Sequence, residues 1–134
     1  VFQDSAGVPK QLEHPQITAL DFVDDMTSYL RDCDLVVLPY DVAAYRIRGS
    51  GMLTACLSLG VPVVGPFGTI PGHTIEQFNV GPLFTQTRSE AIYAAIKVAD
   101  QNYERYAANA FRAAHHWSKR HGVARYAEAL LAFA

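Results

Sequence analysis

The chain has 134 residues, half of them hydrophobic and 18% charged, with a formal net charge of −2. That suits a single packed domain. It argues against a general nucleic-acid binder, and no apolar run approaches the ~20 residues a membrane helix requires. The start, VFQDSAGVPK, has no signal-peptide pattern. Cys33 and Cys56 fall in apolar helical contexts without metal-ligand spacing, so two free buried thiols in a reducing, cytoplasmic setting are expected, with no metal and no cofactor.

In chain order, Ile17 to Phe22 (ITALDF) reads as a short strand, and Val23 to Cys33 as a helix, with Val23, Met26, Tyr29 and Leu30 at helical spacing. Leu35 to Tyr40 (LVVLPY) is a continuous apolar run, the pattern of a strand covered on both faces. Asp41 to Gly49 reads as a loop. Gly51 to Leu59 reads as a helix stopped by Gly60. VPVVGP, Val61 to Pro66, is a second buried strand, followed by a long loop from Phe67 to Gly81 and a brief strand at Pro82 to Thr85. Ser89 is expected to cap a helix carrying Ala91, Ile92, Ala95, Ile96 and Ala99 on one face. Asn102 is expected to cap another, with a stripe of Tyr103, Tyr106, Ala107, Ala110, Phe111, Ala114 and Trp117. Gly122 interrupts that helix, and Val123, Tyr126, Ala127, Leu130 and Leu131 form a last amphipathic piece.

Strands alternating with helices imply right-handed βαβ units: an α/β, Rossmann-like parallel sheet with helices on both faces. In such sheets ligands bind beyond the carboxyl ends of the strands. The helix starting at Gly51 follows one of those ends. Its first amides lack intrahelical partners and carry partial positive charge. Gly49 and Gly51 leave the backbone bare, Ser50 can cap or bond a phosphate oxygen, and Arg46 and Arg48 supply forked donors from the same loop. The stretch reads as a phosphate or diphosphate site; on spacing alone it reads equally well as an ordinary serine N-cap.

The wording CDLVVLPYD, RGSGMLTACLSLGVPVVGPFGT and VGPLF resembles the C-terminal, nucleotide-sugar-binding half of GT-B-fold glycosyltransferases, closest to the group 1 family. Asp34 to Tyr40, Ser50 to Gly60, Val61 to Gly65 and Gly81 to Phe84 fall in register with that family's pieces, and Tyr103, Trp117 and Tyr126 resemble its tail. The resemblance implies one domain over residues 1–134, part of an enzyme that moves a sugar from a nucleotide-diphosphate sugar to a sugar or lipid acceptor. The donor diphosphate would lie against Arg48, Gly49, Ser50, Gly51 and Met52. Arg46 and Thr54 stand where the family commonly has a pair of glutamates eight residues apart; with Thr69 and His73, in the loop bordering the donor sugar, they are the candidate sugar and ribose contacts. No catalytic residue is assigned.

The family's domain opens with two βα units not found here; Val1 and Phe2 match the end of the second. The resemblance therefore implies either a fragment of a longer enzyme, inactive in isolation, or a domain that closes its sheet another way, with a second copy, in a homodimer, covering the exposed edges.

Two other readings compete. One is a non-catalytic Rossmann-like assembly domain, for which the absent glutamates would be the sign. The other is a phospho-receiver-like domain using Asp21, Asp24, Asp25 and Asp41; no lysine follows VPVVGP or PLFT, and helix capping by Asp24 or Asp25 is the simpler account. His115, His116 and His121 read as a basic helix end rather than a metal site. Tyr40 and Tyr45 flank the donor loop and are suited either to stacking on a base or to packing.

Overall fold

Val63 and Val64 are neighbours in the chain, yet they end on opposite faces of one parallel sheet. The computed structural model describes residues 2–3, 15–20 and 22–132. The sheet has three strands, β3 (Val36–Val37), β4 (Val63–Pro66) and β5 (Leu83–Phe84), in that order and all parallel. Val36 pairs with Val63 and Pro66 with Phe84. Alternation along the strands separates two cores. Val36, Leu38, Val63 and Leu83 join one cluster; Leu35, Val37, Val64 and Phe84 join the other. The first is completed by α1 (Met26–Arg31), α3 (Gly51–Leu59), α4 (Ile70–Phe78) and α6 (Tyr103–His121), and the second by α5 (Ser89–Gln101). The protein is thus a three-layer, Rossmann-like α/β domain.

Two further short strands, β1 (Phe2–Gln3) and β2 (Ala19–Leu20), pair with each other in parallel and form a separate sheet. On the side away from β4, β3 has no strand neighbour among the described residues. A cavity of about 560 Å³ opens there, lined by Leu20, Met26, Leu30, Leu38, Tyr40 and Met52 among others. Leu35, Val36 and Val37 are accordingly only half-buried, whereas all of β4 is buried. An apolar run that reads as a central strand therefore lies at an open edge.

Several sequence expectations change. The strand expected at 17–22 is reduced to Ala19–Leu20, and Phe22 is exposed. The helix expected from Val23 starts only at Met26, because the Asp25 carboxylate accepts from the Ser28 amide and hydroxyl. The segment 41–49 contains a short helix, α2 (Val42–Tyr45), with Asp41 accepting from the Ala44 amide. The long loop expected from Phe67 contains all nine residues of α4. Pro71 and Gly72 looked like loop residues, but a proline in the first turn behind a threonine cap starts a helix. Ser89 does not cap α5: it is the first helical residue, and Arg88 before it makes no side-chain cap. Asn102 does stand at the N-cap position of α6, but without a side-chain cap bond: its amide group donates back to the Val98 carbonyl. Phe111 leaves the expected α6 stripe and is exposed, while Ala113 is buried in its place. The helix Gly51–Leu59 keeps its expected bounds, with Gly60 left-handed at φ 75° as its C-cap, a conformation that favours glycine. A final helix, α7 (Val123–Leu131), follows Gly122.

Candidate anion-binding site

The front of α3 is built from the end of β3 outward. Leu38 and Pro39 carry the chain to Tyr40, whose ring stacks on Tyr45 with centroids 3.9 Å apart and planes within 6°. The Tyr40 hydroxyl meets Ser50 Oγ at 2.9 Å, and either group can donate. Ser50 Oγ also accepts from the Leu53 amide at 3.0 Å, capping the helix. Burial is the main reason the Tyr40 phenol titrates above its ordinary value, partly offset by the Ser50 bond; it stays a neutral donor–acceptor. From beyond the end of β5, Thr87 Oγ1 donates to the Tyr40 carbonyl at 3.1 Å. The loop from Tyr40 to Ser50 is therefore fixed by a chain of specific contacts before any ligand arrives.

The first two amides of α3 have no such partner. Leu53 is bonded to Ser50 Oγ and Thr54 to the Ser50 carbonyl, but the Gly51 and Met52 amides have no acceptor among the described residues. A Cβ added at Gly49 or Gly51 would meet nothing within 4 Å. Neither glycine has a positive φ, so neither backbone conformation nor internal packing demands glycine there. Arg46 and Arg48 are exposed, and neither forms an ion pair with a described residue. The result is an open helix N-terminus, with partial positive charge and two guanidinium groups in the adjoining loop. Behind it Leu53, Cys56 and Leu57 are buried, and burial pushes the Cys56 thiol up to about 12. The body of the helix is held while its front is exposed.

The candidate residues part company here. Arg48, Gly49, Ser50, Gly51 and Met52 are contiguous at this end, though Met52 also lines the apolar cavity beside β3. Thr54 is exposed one turn on, its hydroxyl donating to the Ser50 carbonyl at 3.1 Å. Thr69 is 4% exposed; its hydroxyl donates to the Pro66 carbonyl and accepts from the Gly72 amide. Both bonds belong to the fold, so Thr69 is a cap. His73 lies exposed in the first turns of α4, its amide bonded to the Thr69 carbonyl. Tyr40, Tyr45 and Thr87 are the supporting residues that sequence reasoning left without defined roles. The tyrosines' position beside the loop was visible, but the Thr87 contact crosses 47 residues and has no local signal.

Of the acidic residues, Asp25 and Asp41 cap helices, Asp24 is exposed, and Asp21 lies outside the described residues. Two hydrogen bonds from Ser28 hold the Asp25 carboxyl below its ordinary value, the hydroxyl bond contributing most. His116 faces the Phe78 ring and His121 the Trp117 ring; among the described residues no three His, Cys, Asp or Glu converge on a metal position. Both cysteines are free. Among the described residues no helix is long and apolar enough to cross a membrane.

The fold and this strand-end loop define a Rossmann-like α/β domain with an open helix terminus at the carboxyl edge of its sheet. No family model matches the chain, and no curated protein or solved structure matches it either.

Proposed function

We propose that the chain is the donor-binding domain of a glycosyltransferase, holding the diphosphate of a nucleotide-diphosphate sugar at the front of α3. The observation that carries this reading is the pair of unpartnered amides at Gly51 and Met52 beside two glycines with open space before them. An anion fits there because it meets N–H donors, the helix dipole and the Arg46 and Arg48 side chains together. Stabilising a departing diphosphate in this way requires no metal. The motif resemblance supplies the sugar; the geometry supports the phosphate.

The direct test is calorimetric titration with nucleoside diphosphates. Gly49→Leu and Gly51→Leu put bulk into the open space in front of the helix, where an added Cβ meets no protein atom within 4 Å, and an unchanged urea midpoint is the control for the fold. Binding by the unaltered chain and at least a tenfold loss in these variants is the expected result. Equal affinity in both variants would remove the site. Arg48→Ala should weaken binding by a further charge-assisted contact, about tenfold. The same reading expects a second copy to cover the open edge of β3, with dimers in sedimentation velocity; a monomer at all concentrations would argue against that.

A further inference from the structure

The last described helix buries none of its residues. Along α7, Val123, Tyr126, Leu130 and Leu131 are 86%, 67%, 56% and 75% exposed. With ~3.6 residues per turn they fall on one face, within an arc of about 140°. Arg125 and Glu128 occupy the other side, joined as an exposed ion pair at 3.2 Å. A helix this short is marginal in water without packing, and a stripe of four large apolar side chains marks a contact surface.

Charge indicates which surface. Over the end of α6 and α7, residues 119–131, the chain carries Lys119, Arg120 and Arg125 against one acidic residue, Glu128. That surface is therefore +2 (three minus one), and the rest of the chain is −4 (−2 minus 2). Arg120, Arg125 and Tyr126 line one open depression of about 250 Å³ where α6 meets α7, so these cations adjoin the stripe at its Tyr126 edge, with Arg125 reaching there from the polar side. A nucleic acid would use the cations and leave the stripe wet. A plain apolar groove on another protein would use the stripe and strand the cations. An anionic bilayer uses both: apolar side chains enter the acyl boundary while Lys and Arg reach lipid phosphates.

We propose that α7 and the end of α6 dock on an anionic lipid surface. The proposal shares no residue with the nucleotide site and stands or falls separately from it.

Co-sedimentation with phosphatidylcholine vesicles, with and without phosphatidylglycerol, tests it. Binding should require phosphatidylglycerol and weaken as salt rises. Arg120→Gln and Arg125→Gln should each reduce binding about fivefold, and Leu130→Ala or Leu131→Ala at least tenfold. All four side chains are exposed, so circular dichroism and nucleoside diphosphate affinity should not change. Absence of binding, equal binding to vesicles without phosphatidylglycerol, or binding indifferent to both classes of variant would overturn the proposal. So would a doubling of mass abolished by Leu131→Ala without vesicle binding, which would assign the stripe to a second copy.

Discussion

Two helices of nine residues each, α3 and α4, leave the carboxyl edge of the same sheet, and both begin with a hydroxyl cap. Their fronts are opposites. At α4 the chain turns straight from β4 onto its own strand. Thr69 is buried with both hydroxyl bonds internal, and a Cβ on Gly72 would run into the Pro66 carbonyl. At α3 a thirteen-residue excursion, 38–50, separates strand from helix, the cap is bonded to Tyr40, and the two glycines face open space. A glycine at one helix front marks close packing; at the other it marks access. Composition does not distinguish them: each stretch has a small polar cap and a glycine in the first turns.

That contrast can be broken most forcefully at Gly72. Gly72→Ala must push a methyl group into fixed backbone and should cost about 3 kcal/mol in urea unfolding; an unchanged midpoint would mean α4 is not seated on β4. Next in size is the pair of caps. Thr69→Ala removes a buried bridge with two bonds and should cost about 2 kcal/mol, whereas Ser50→Ala at the half-exposed cap should cost about 1. If Ser50 proves the costlier, the α3 front is structural and its openness incidental.

The body of α3 offers a third test, through Cys56. Burial raises its thiol pKa to about 12, above the ordinary value, so the folded state retains a proton that the unfolded chain releases. This contribution is fully present below about pH 8.5 and is lost as pH rises toward 12. Stability should fall over that window by up to about 1.4 kcal/mol per pH unit. Cys56→Ser should flatten the profile, and Cys56 should resist thiol reagents until the protein unfolds. The smallest effect belongs to Gly51→Ala. It should leave the urea midpoint within about 0.5 kcal/mol, since nothing lies against that position.

The α3 helix was legible residue for residue because every signal for it is local: a serine before it, a glycine in the left-handed region after it, and apolar residues throughout. The two-faced sheet was legible from LVVL and VPVV for the same reason. The α4 helix was not, since Pro71 and Gly72 signal a loop unless the preceding Thr69 is known to cap and the turn to fold back on β4. Phe111 carries a core residue's chemistry but lies exposed, because the direction α6 takes across α3 chooses Ala110 and Ala113 for the contact instead.

By itself, then, the amino-acid order determined the alternation of strand and helix, the parallel sheet and the helix start at Ser50, all of them consequences of short-range backbone and burial preferences. Tertiary structure alone decided which helix front stays open, that Tyr40 and Thr87 brace the loop beside it, and that β3 has a strand neighbour on one side only among the described residues. Those outcomes depend on contacts between residues far apart in the chain, and no local pattern records which distant partner a side chain will meet.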